Sequence, residues 1–210
     1  RGTFSLLMET SLTYTWDGSA SNDWNEPANW NSNTVPTELV NAIIPGGAPN
    51  YPLIFGQLVV GANYGSETCR TLTINNGAQL TVAGWGQITL FDDVTINAGG
   101  SLIVDRLLVA LGGKIYILGG TVTVGDFAEF TAGSGGYMNS GSFTIYNLDY
   151  QNSSWYASGG TIYIDSPSVN EAYFDVIGTL NIYNLEITDP TKVIYTGNTN
   201  IAGNFTIKPN

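Results

Sequence analysis

The sequence predicts an all-β chain wound as a right-handed parallel β-helix, with coils of about 20 residues and a tryptophan-rich N-terminal cap. Three observations predict it. Apolar–variable–apolar triplets recur: LTV at 80–82, LIV at 102–104, VTV at 122–124, FTI at 143–145, IYI at 162–164 and LNI at 180–182, with first positions 22, 20, 21, 19 and 18 residues apart. Most follow a glycine: Gly77, Gly99, Gly119, Gly141, Gly159 or Gly178. Finally, Trp16, Trp24 and Trp30, three of the five tryptophans, crowd into a stretch otherwise made of Asn, Asp, Ser, Gly and Pro.

Alternation sends Leu80 and Val82 to one face of a strand and Thr81 to the other. Glycine supplies the positive-φ corners between strands. A second strand precedes several corners, in LTI at 72–74, VTI at 94–96 and IYI at 115–117. FTIYNL (143–148) and LNIYNL (180–185) are near-copies 37 residues apart, close to two coils. Stacked coils then carry two inward columns. One is Leu80, Leu102, Val122, Phe143, Ile162, Leu180 and Phe205; the other is Val82, Val104, Val124, Ile145, Ile164, Ile182 and Ile207. A β-sandwich also has short alternating strands. One register kept through repeats of coil length favours the β-helix.

Three segments follow from this pattern: residues 1–13 as an extended arm or strand, 14–57 as the tryptophan cap with the first coil, and 58–210 as β-helix without an evident C-terminal cap. A solenoid end exposes its core, so the three tryptophans are expected to fold over the first coil. The chain stops directly after NFTI, so a processed or excised piece, or an end covered by another molecule, is expected.

Composition narrows the function. Apolar residues reach 43%, enough for a core, while charged residues are only 11%, about half the usual share. Six basic residues and a net charge of −11 exclude the basic stripe that nucleic acid needs, and disfavour an anionic membrane. No apolar run is long enough to insert into a bilayer. The absence of histidine removes Ser-His-Asp and Cys-His chemistry. Cys69 is the single cysteine and cannot form an internal disulfide; a buried place at a strand start is expected for it.

Trp16, Gly18, Trp24, Asn29, Trp30, Val35, Pro36, Ile44, Pro45 and Pro52 form a pattern that resembles a module of large secreted surface proteins of Bacteroidetes-type bacteria. The continuation TLTINNGAQLTV (71–82) is similar to the first coil of such proteins, and residues 182–207 to their later coils. The resemblance implies an extracellular β-solenoid at the bacterial cell surface, part of an adhesin-like or fibrous protein.

The expected role is mechanical, without catalysis: a subunit of an extracellular filament or surface fibre. Its partner is another copy of itself, head to tail, or further coils of the same protein. An arm bearing Leu6, Met8, Leu12 and Tyr14 would dock on the coil bearing Phe205 and Ile207. The alternative is a carbohydrate-binding or adhesin module, with Tyr146, Tyr163 and Tyr183 stacking on glycans; Tyr116, Tyr150 and Tyr156 are also read as surface tyrosines. A third reading is a polysaccharide lyase. Asp105, Asp126 and Asp165 follow equivalent strands and would form an acidic column beside Arg106, where Ca²⁺ could bind; no other cofactor is expected. Asp17, Ser19, Ser21 and Asp23 alternate as calcium ligands do but lack a closing glutamate, so a turn is expected.

Overall fold

The computed structural model describes residues 11–61, 67–165, 172–188 and 193–208; Leu6 and Met8 lie outside them. The chain is an all-β parallel solenoid of about six turns, with about 21 residues per coil. One coil shows the plan. Val94–Asn97, Ser101–Val104 and Leu107–Ala110 are its three strands, one on each of three faces. The next coil lays Lys114–Val124 over the first two and Phe127–Phe130 over the third. All ladders between named strands are parallel; the one antiparallel pairing among the described residues is the isolated bridge Trp16↔Trp30.

Alternation produces the core. On the second face Leu80, Leu102, Val122, Phe143 and Ile162 stand in direct register and are all buried, as expected. The first face adds Ile44, Ile74, Ile96 and Ile117, and the third adds Leu58, Ile88, Leu108 and Ala128. The turn between first and second faces needs glycine. Gly141 has φ 88°, and a Cβ there would lie 2.1 Å from the Gly120 carbonyl of the coil below.

The upper end of the expected columns needs correction. Ile162 pairs with Leu185, and Leu185 with Phe205; Ile164 likewise pairs with Ile187 and then Ile207. Leu180 and Ile182 are buried on the first face instead, in register with Thr199 and Ile201. The cause is the strand Ala172–Ile182, which covers the third face and then turns at Gly178 (φ 102°) onto the first. The two near-copies therefore occupy successive faces that differ by one step. The strand Leu53–Val60 also runs straight through position 57/58, so cap and solenoid share a strand there.

One packing contact breaks the pattern of aliphatic columns. Gly136 stands in register with Trp155, and a Cβ on Gly136 would lie 2.2 Å from the indole ring. The indole stacks on Phe143 (5.6 Å, 15°) and meets Phe130 edge-on (5.3 Å, 79°). Glycine in one coil makes room for tryptophan in the next. We expect Gly136→Val to cost about 3 kcal/mol in urea unfolding through overpacking. In a Trp155→Leu background the same change should cost distinctly less. Strict additivity of the two would show that they do not compete for one space.

Candidate functional site

The loop-rich N-terminal segment is a closed aromatic cluster. Trp16, Trp24 and Trp30 are all buried, and Trp30 sits edge-on to both Trp16 (5.2 Å, 87°) and Trp24 (4.8 Å, 77°). Trp16 Nε1 donates to the Asn50 carbonyl (2.7 Å) and Trp30 Nε1 to the Trp24 carbonyl (2.9 Å). The tryptophans join the same core as Ala42, Ile44 and Ile54, so they leave no sugar-stacking platform. Asn29 organises the polar part. It is fully buried; its Oδ1 accepts from the amides of Ala20 (2.9 Å) and Ser21 (2.8 Å), and its Nδ2 donates to Ser21 Oγ (3.0 Å) and the Asp23 carbonyl (2.9 Å). Asp17 and Asp23 accept from the amides two residues on, at Ser19 and Asn25, which is turn chemistry.

The candidate joint residues fall in two places. Leu12 and Tyr14 belong to Leu12–Thr15, which pairs with the chain's own Val40–Ile44. Leu12 is exposed, and Tyr14 packs against its own core. Phe205 and Ile207 stand on Leu185 and Ile187 in the last described strand, each 55% exposed.

The tyrosines named from sequence do not share a surface. Tyr163 faces outward on the second face, between Thr144 and Glu186. Tyr146 is half-buried against the core at the corner beyond that face. Tyr183 follows the first-face strand and is exposed. Tyr150 is a correction: it is buried, its hydroxyl bonded to the Ser153 carbonyl and accepting from the Trp155 amide (3.2 Å). The structure builds a different array. Tyr116, Tyr137 and Tyr156 stand in register on the outside of the first face, and the Tyr137 and Tyr156 rings stack at 6.0 Å and 15°. The available signal was a tyrosine between core positions in KIYIL, GGYM and SWYA.

Nor do the named aspartates form a column. Asp105 Oδ2 accepts from the Gly84 amide (2.9 Å), Asp126 Oδ2 lies 3.8 Å from Arg106 Nε, and Asp165 Oδ1 accepts from Thr188 Oγ1 (2.9 Å). Coil lengths vary by a residue or two, which shifts Asp126 onto Arg106 and off Asp105. The stacked acids are Glu129, Asp149 and Asp175, on the third face. Among the described residues no group of three His, Cys, Asp or Glu side chains is placed to hold a metal ion. Cys69 is buried at the end of its strand; burial first, and the Asp92 charge second, push its thiol far above the usual range. It therefore stays protonated and unreactive at neutral pH.

One exposed residue escaped the sequence reading. Trp85, flanked by Gly84 and Gly86, is 78% exposed with φ 71°. The Arg106 guanidinium lies 5.0 Å from its ring centroid, and exposed Phe55 touches the space above Gly84.

Comparison with known proteins adds little chemistry. A family model described as a domain of unknown function (DUF8693) matches residues 15–107, a span that holds the tryptophan cluster and the first coils. No curated protein and no solved structure matches the chain. No helix among the described residues is long and apolar enough to cross a membrane.

Two expectations test this geometry. Asn29→Ala removes four hydrogen bonds made by a fully buried side chain, to the part-buried Ala20 and Ser21 amides, Ser21 Oγ and the Asp23 carbonyl, and should cost about 3 kcal/mol in denaturant unfolding; a loss below about 1 kcal/mol would mean that water replaces the amide. Trp85→Asn should leave stability unchanged or raise it by up to about 1 kcal/mol, because asparagine tolerates the left-handed backbone better than tryptophan does. A substantial loss would show that Trp85 contributes to the fold and is not an exposed surface element.

Proposed function

We propose that the chain is a non-catalytic, rod-like module of a bacterial surface fibre or adhesin, held outside the cell. The observation that carries this reading is the continuity of the core. On the second face the inward columns run through successive coils without a polar interruption, in the same core as the tryptophan cluster, and reach Phe205 and Ile207 in register. Such a stack resists bending and extension because successive coils are joined by parallel ladders, unbroken on the second face from residues 79–82 to 205–208. The low charge of the sequence and its similarity to the tryptophan-containing modules of secreted surface proteins support an extracellular place.

The half-exposed rung of Phe205 and Ile207 continues the core columns outward. An apolar rung of this kind is completed by another solenoid coil, from the same protein or from a neighbouring copy. A head-to-tail contact of this sort grows into a fibre when it does not close on itself.

Sedimentation velocity over a concentration series, with negative-stain electron microscopy of the same samples, tests the joint. The expected result is concentration-dependent association into end-to-end rods, abolished in the Phe205→Asp/Ile207→Asp variant with its circular dichroism unchanged. A parent chain that stays monomeric at the highest concentration would overturn self-assembly through this rung.

A further inference from the structure

On the first face the parallel ladder is broken at one level. Ser154–Ala157 pairs with the coil below it through residues 135–138, and residues 179–182 pair with the coil above through 198–201. The two segments lie side by side, yet among the described residues no ladder joins them. An open cleft of about 430 Å³ lies against this break and reaches the coil above it. Its walls include Tyr156 and Ser158 on one side, and Asn181, Tyr183 and Asn200 on the other. That volume lies within the roughly 300–1,000 Å³ that small-ligand sites use.

We infer that this cleft binds a neutral glycan, with a pyranose ring seated on Tyr156. Tyr156 is 60% exposed, and one side of its ring is already covered by Tyr137 at 6.0 Å. Tyr156 lines the cleft and Tyr137 does not, so of the two stacked rings it is Tyr156 that a ligand in the cleft meets. The aromatic column ends there: no ladder sets another ring in register above Tyr156, and the outward residue of the neighbouring segment is Asn181, which also lines the cleft. A sugar ring enters from the cleft onto the exposed tyrosine: its axial C–H groups meet the electron-rich ring, and its hydroxyls point sideways. Amides stand where those hydroxyls arrive. Asn200 Nδ2 donates to Asn181 Oδ1 (2.9 Å), which leaves the Asn181 amide nitrogen to donate and the Asn200 carbonyl oxygen to accept. Tyr183, exposed on the same wall, offers a second ring and hydroxyl.

Charge selects the class of glycan. Among the described residues no charged side chain lines the cleft, and the chain carries a net charge of −11. An acidic polysaccharide finds no cation here and meets a repulsive field. A neutral chain loses nothing by entering. The inference stands apart from the rod reading, since a monomer and a fibre subunit expose the same face.

Native affinity electrophoresis tests it, because the acidic chain migrates readily in gels cast with soluble glucomannan, xyloglucan, mixed-linkage β-glucan or polygalacturonate. The full chain should be retarded by at least one of the three neutral glycans and not by polygalacturonate. Tyr156→Ala should weaken that retardation at least tenfold with an unchanged melting temperature, and Trp85→Ala should leave it intact. Retardation by none of the neutral glycans would overturn the proposal. So would equal retardation by polygalacturonate, parental binding by Tyr156→Ala, or loss of binding in Trp85→Ala alone.

Discussion

Each coil lies on the one before it in parallel register, so every residue has neighbours fixed along the rod as well as along the chain. Leu102 must suit Leu80 below and Val122 above. That constraint governs the core, the corners and the surface together. Inward, it demands apolar side chains whose summed volume fills a cross-section of constant width. When one coil departs, the next must compensate, as Gly136 does for Trp155. At the corners it demands that successive turns nest. Gly141 shows the tolerance: its missing Cβ is the room that the Gly120 carbonyl occupies.

The architecture was legible because the constraint writes itself into the sequence. Five rungs of the second-face column follow from the alternation of LTV, LIV, VTV, FTI and IYI alone. The failure at Leu180 has the same origin. Every face uses the same inward–outward alternation, so Leu180-Asn181-Ile182 and Leu185-Glu186-Ile187 are equally good candidates for one rung. Only the path of Ala172–Ile182 around two faces decides between them, and that depends on where corners fall, not on which residues alternate. The surface was less legible for a related reason. Which outward residues stack depends on coil length, and a one-residue change moves Asp126 from Asp105 to Arg106. The ladder of Tyr116, Tyr137 and Tyr156 appears only when the strands are placed in register. Trp85 was hidden differently: nothing local distinguishes an exposed tryptophan from a buried one except its two flanking glycines, and the left-handed backbone that they frame.

The same constraint accounts for the scarcity of charge. An outward residue at one level lies about 4.8 Å from its equivalent in the next coil. Two like charges at that separation repel by about 1 kcal/mol even in water, and by more where the rod excludes solvent. A charged column therefore accumulates repulsion with every coil. Uncharged side chains that both donate and accept gain from the same repetition. Asn97 Nδ2 donates to Asn75 Oδ1 (2.8 Å), and Asn200 repeats this with Asn181. Thr81, Thr123 and Thr144 fill outward places on the second face without conflict, separated only by Ile103.

Glu129, Asp149 and Asp175 run against this rule, and their surroundings show how it is relieved. Gln151 Nε2 donates to Asp149 Oδ2 (2.8 Å), and Thr196 Oγ1 donates to Asp175 Oδ1. Neutral donors take up part of the carboxylate charge where no cation stands in register. At the far end of the second face the relief is ionic: Lys208 Nζ lies 2.6 Å from Glu186 Oε1, and the hydrogen bond and the Glu186 charge raise the lysine's pKa, which keeps it protonated beside the acid. Asp149, Asp175 and Glu186 thus each meet a donor from the same or the neighbouring coil. The cleft by Tyr156 stands in contrast, since among the described residues its walls hold an aromatic pair, amides and a hydroxyl with no charge to satisfy. A surface built from repeating neutral polar groups and ordered rings suits a ligand that is itself neutral, polar and ringed, and that is a consequence of the stacking that forms the rod.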